Sequence, residues 1–91
     1  MAVYMIGYDL NTPGKDYTKL IDAIKKAYPN WWHCLDSTWL VNTTSSAQQI
    51  RDHLKQFIDG NDKLLVATMG KGAAWTGPFT KPCSDWLLAN L

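Results

Sequence analysis

The chain contains no glutamate and a single arginine, Arg51, so its eight acids are all aspartates and its other basic residues are lysines. Nine Lys and Arg against eight acids leave a formal charge of +1. A protein built to grip nucleic acid through its phosphates carries a clear basic excess, because those contacts supply most of the affinity. That excess is missing, which argues against tight, sequence-independent binding by one protomer. Long apolar runs are also missing, and nothing approaches the ~20 residues of a membrane-spanning helix, so no membrane partner is expected. The opening MAVYMIGYDL lacks a charged leader and soon meets Asp9. It does not read as a signal peptide, and a cytoplasmic location is the expectation.

Cysteine is scarce. Cys34 and Cys83 lie far apart with no CxxC pattern, and the two histidines have no metal-motif spacing. Zinc is unsupported, and a structural disulfide is not expected. Cys34 sits in an apolar stretch and reads as buried packing, whereas Cys83 fits a buried or an exposed place. Repeats, low-complexity tracts and linkers are absent, and 91 residues suit one domain with one core.

Aromatic residues, by contrast, are abundant, with five Trp and four Tyr. So small a core cannot enclose them all, so the surplus predicts a partner surface or a ligand platform.

Ala2 to Asp9 is apolar, rich in strand formers and followed by Asn-Thr-Pro-Gly, which predicts a central strand and a turn. Gly7 within it predicts close approach by another backbone or a large neighbour. Asp16 can cap a helix from Tyr17, with Leu20, Ile24 and Tyr28 on its apolar side and Pro29 as its stop. Trp31 to Leu35 and Thr38 to Thr43 read as a hairpin turning at Asp36-Ser37, with one continuous bent strand as the alternative because the turn has no glycine. Ser45 and Gln48 form a capping box for a second helix whose apolar stripe includes Ile50, Leu54 and Phe57. Lys63 to Met69 reads as the fourth strand. Gly70 to Lys81 reads as a loop, followed by a short helix from Ser84 to Ala89.

The order β-α-β-β-α-β predicts an α+β domain with a four-stranded antiparallel sheet in the spatial order 4-1-3-2 and two helices on one face. This is a ferredoxin-like plait with a short C-terminal helix. On that topology Asp9, Asn11, Asn42, Thr43 and Asp62 are expected at one end of the sheet.

Asp9 is the most informative of them. A carboxylate at the end of a rigid strand can hold a hard cation such as Mg²⁺, which takes one or two carboxylates, water and phosphate oxygens. One aspartate is too few, but a two-fold axis could bring two Asp9 side chains together, with Asp62 as a further donor. The alternative is that Asp9 accepts turn N–H groups from Asn11 or Thr12. Tyr8 reads as core ahead of base stacking. His33 reads as structural ahead of general acid–base work. Trp31 and Trp32 are adjacent and face opposite ways, so one should enter the core and the other should be exposed or covered by a partner. Lys71, Trp75 and Lys81 form a weak basic-aromatic set.

Tyr8-Asp9 closing the first strand and Asp36-Ser37-Thr38-Trp39-Leu40 in the hairpin resemble the small CRISPR adaptation nuclease-like proteins and the related VapD-type toxins. The likeness covers the chain up to Thr43 and the element order beyond it. The segments Tyr-Asp-Leu-Asn and Trp-Trp-His with Asp-Ser-Thr-Trp are also similar to a group of small bacterial proteins. The first resemblance implies a homodimeric, Mg²⁺-dependent endonuclease. Asp9 would be its metal-binding and catalytic acid, with its two-fold mate supplying the second, and Ser37 would match its hairpin serine. A nuclease reading of the residues adds Asp62 as an assisting metal donor, with Lys15, Ser37 and Lys71 contacting nucleic acid. Three departures stand against it: Asn11-Thr12-Pro13-Gly14 replaces the usual basic cluster, no Gln precedes the hairpin serine, and the charge is near neutral. Two other readings remain. One is a non-catalytic homodimeric binding or scaffold module; the other is a nucleotide-binding module in which exposed Trp stacks the base.

Overall fold

The computed structural model describes residues 1–11 and 17–91, so the expectations for Asp16 as a cap and Lys15 as a phosphate contact lie outside the described residues. The elements are β1 (Ala2–Asp9), α1 (Thr18–Ala27), β2 (Trp31–Leu35), β3 (Thr38–Thr43), α2 (Ala47–Leu54), β4 (Lys63–Thr68) and α3 (Lys81–Asn90), with a 3-10 turn Lys55–Phe57 extending α2. The strands form one antiparallel sheet in the order β2-β3-β1-β4. This is the ferredoxin-like α+β plait that the element order predicts.

Both faces of the sheet are covered, and that differs from a one-core reading. Alternation along β1 sends Ile6 to one side and Val3 and Met5 to the other. Ile6 joins Trp39 and Val41 beneath Leu20 and Ile24 of α1 and Ile50 and Leu54 of α2. Val3 joins Trp32, Leu40 and Leu87 of α3, with Met5, Phe79 and Trp86 packed against them. Two cores absorb most of the aromatic surplus. Trp39 and Trp32 are buried, Trp31 and Trp86 are partly buried, and Trp75 is the one tryptophan among the exposed large apolar residues, at 37%.

Cys34 of β2 and Cys83 of α3 form a disulfide, contrary to the sequence expectation. The Cα atoms are 6.3 Å apart, a span a disulfide bridges readily. The 49-residue separation hides the pairing in the sequence, because only the return of α3 across the sheet brings the two thiols together.

Two boundaries also shift. The capping box of α2 is Ser46 with Gln49, one residue beyond the predicted pair: Gln49 N donates to Ser46 Oγ at 3.1 Å and Ser46 N donates to Gln49 Oε1 at 2.8 Å. The run Ser-Ser-Ala-Gln-Gln offers both registers, and the chain takes the second. Helix α3 begins at Lys81 because Pro82 falls in its first turn, where the missing N–H has no partner to lose. The hairpin turns at Asp36-Ser37 without glycine, and a register shift between Trp32 and Leu35 supplies the extra twist.

Candidate functional site: a polar depression at the end of the central strand

Asp9 ends β1 and is exposed, as are Ser37 in the hairpin turn and Lys63 at the start of β4. Cross-strand register sets their places: Asp9 lies opposite Lys63, and Gly7 lies between Thr38 and Leu65. With Tyr8 and Leu64 these residues line an open depression of about 360 Å³. Gly7 and Asp9 share the side of β1 that carries Val3 and Met5, so the depression opens on the face opposite α1 and α2. Helix α3 covers the other half of that face.

Gly7 is not there for a close backbone approach, as the sequence suggested. A Cβ at this position would meet nothing nearer than the Met5 Cε, at 3.9 Å. The glycine leaves an uncovered floor between the charged end of the depression and Leu65, which is 59% exposed.

Asp62 stands close by but is occupied. Its Oδ1 accepts the Asn11 backbone N–H at 2.8 Å and the Tyr17 hydroxyl at 2.7 Å, and its Oδ2 accepts the Asp59 N–H at 2.8 Å. The turn-capping work imagined for Asp9 therefore falls to Asp62. Asp9 contributes its main-chain carbonyl, which accepts from Asn11 Nδ2 at 3.4 Å, while the same amide reaches Asn61 O at 3.3 Å. Among the described residues no three His, Cys, Asp or Glu side chains are grouped to hold a metal. One exposed carboxylate beside an engaged one does not build a Mg²⁺ site within a single chain.

Other expected members of the site lie elsewhere. Asn42 and Thr43 pair with Val3 and Ala2, at the far end of β1, because β3 runs antiparallel to it. Lys71 is at that far end too, lining a separate depression with Ala2 and Asn42. His33 is structural: its ring stacks on Trp39 with centroids 3.8 Å apart, and Nε2 contacts the Asp36 carbonyl at 3.1 Å. Tyr8 is held inward, its hydroxyl accepting from Trp39 Nε1 at 3.0 Å. Trp31 packs beside Trp39 at 5.2 Å, with the Lys25 ammonium 5.1 Å from its ring. Burial raises the Tyr28 phenol above its ordinary value, but this group sits in the core under α1 and α2.

Lys63, Thr38 and Leu65 were not singled out from the sequence. The signal for them was the antiparallel register of β4 on β1, which puts Lys63 opposite any functional Asp9. Among the described residues no helix is long and apolar enough to cross a membrane. No protein-family model matches the chain, and no solved structure matches it.

Proposed function

We propose that this protein is a non-catalytic homodimeric binding module that pairs with a second copy along β4. The observation that carries this reading is that β4 forms an edge of the sheet and, among the described residues, lacks the devices that blunt one. At the opposite edge, β2 is interrupted by its register shift and tied to α3 by the disulfide. β4 has neither device: its ladder with β1 runs unbroken from Lys63 to Thr68, and only Lys63 carries charge. Natural sheets blunt an edge with bulges, prolines or charges, and a bare apolar edge is a template for another strand. Two antiparallel β4 strands about a two-fold axis satisfy each other, with Leu65 of each copy beside the seam.

This pairing also weighs against a shared metal. The two β1 strands would lie three strand spacings apart, about 14 Å. Carboxylates that share one Mg²⁺ hold oxygens ~2 Å from it. The test is size by light scattering. The native chain is expected to be a dimer at micromolar concentration, and Leu65→Lys, which sets like charges against each other at the seam, to be a folded monomer. A native chain that stays monomeric through that range overturns the reading.

A second reading, a Mg²⁺-dependent phosphodiesterase, is favoured by one observation: Asp9 and Ser37, the residues carrying the nuclease resemblance, line the same depression, with Lys63 as a cation. Single-stranded and duplex RNA and DNA, incubated with Mg²⁺ or EDTA, test it. On the binding-module reading no metal-dependent cleavage appears, whereas cleavage abolished by Asp9→Ala would establish the enzyme. The disulfide bears on location, since such bonds persist in oxidising compartments and the cytoplasm keeps most thiols reduced. A cytoplasmic setting therefore requires the Cys34–Cys83 pair to exist there at least partly as thiols.

A further inference from the structure

Beneath the segment that joins β4 to α3 lies a second cavity, of about 200 Å³. Met5 and Leu40 of the sheet line it, Trp32 and Phe79 pack against each other at 6.0 Å between ring centroids to make an aromatic wall, and Ala74 and Trp75 of the overlying segment complete it. Its lining is apolar except at Thr38, and the Trp32 indole N–H is already committed to the Cys83 carbonyl at 3.1 Å. The pocket is half open to solvent, and its apolar lining offers water few partners; a space of about 150 Å³ accommodates a benzene ring. Thr38 lines both this cavity and the depression that holds Asp9 and Lys63. Thr38 thus supplies the one hydroxyl among the residues that line the apolar space. Gly72 and Gly77 take positive φ values of 97° and 111° on either side of Trp75, a conformation that only glycine adopts without strain.

We propose that this pocket binds a small aromatic molecule bearing one polar substituent, with the ring against the Trp32–Phe79 wall and Leu40 and the substituent directed to Thr38. The volume matches one ring system. Aromatic walls favour a flat π face over a branched aliphatic. A single hydroxyl in the lining favours one hydrogen-bonding group over a charged one.

The proposal goes beyond the dimer reading and can fail separately, because Leu65 and the β4 edge lie outside this cavity. The experiment is a titration of the ¹⁵N-labelled full chain with p-cresol and with toluene, following the side-chain N–H signals of Trp32 and Trp75. Both signals are expected to shift saturably, with p-cresol binding more tightly than toluene. Ala74→Trp, which fills the pocket, should weaken binding by about tenfold or more while the signals of β1 and β3 stay in place. Thr38→Val should remove the preference for p-cresol and leave toluene binding intact, and Leu65→Lys should bind as the native chain does. The proposal is overturned if no saturable shift appears up to the solubility limit, if only Trp75 responds, or if Ala74→Trp binds unchanged. Equal affinity for the two probes in the native chain overturns the role given to Thr38.

Discussion

Asp62 joins three stretches of chain with one carboxylate: the exit of β1 through Asn11, the approach to α1 through Tyr17, and the turn before β4 through Asp59. Hydrogen bonds to a charged acceptor contribute more than neutral ones, and removing the acceptor leaves every donor to find water. Asp62→Ala is expected to lower stability by roughly 1–3 kcal/mol, read as a shift in the urea midpoint at unchanged slope. Asp9→Ala, exposed and bonded only through its main chain, is expected to leave that midpoint almost unmoved. The sequence distinguished these two aspartates poorly. Asp9 follows an apolar strand and so stood out, whereas two of the three partners of Asp62, Asn11 and Tyr17, come from segments about fifty residues away and leave no local trace. Ser37 was legible as a turn residue, and its meeting with Asp9 follows once β1 and β3 are paired.

Among the elements, α3 carries most of what the sequence did not disclose. The periodic patterns of α1 and α2 were plain because each has a polar face turned to solvent. α3 is short, opens on Lys-Pro-Cys-Ser and exposes Leu88 beside the buried Leu87, so its apolar residues do not mark one face. Its docking rests on Leu87, on the indole hydrogen bond from Trp86 to Asn30 at 2.8 Å, and on the disulfide. Closing a 49-residue loop in the unfolded chain removes entropy equivalent to about 4 kcal/mol at 25 °C. The paired substitution Cys34→Ser and Cys83→Ser, or reductant on the native chain, is expected to lower stability by roughly 2–5 kcal/mol. Thermal melts with and without dithiothreitol measure it. If melting does not respond to reductant, the bond adds nothing to α3 docking.

At the scale of the whole molecule, fold class, strand order and the four strands were legible because alternation and helical spacing are strong and the turns carry their own chemistry. The number of cores was not. Composition counts aromatic residues but does not say that a returning C-terminal segment gives them a second interior. The two cores share β1, which presents Ile6 to one and Val3 and Met5 to the other. Such coupling predicts one cooperative unfolding transition, with tryptophan fluorescence and far-UV circular dichroism giving the same urea midpoint. Separate midpoints would mean that the α3 side melts on its own.

The second interior also changes what counts as the minimal folding unit. A fragment ending at Thr68 would contain every strand of the plait and both helices of its first face, and by topology alone it would pass as complete. Yet it would leave Val3, Trp32 and Leu40 wet on a flat sheet, an invitation to clump rather than dissolve. In this chain the last quarter is what keeps that side of the sheet out of water.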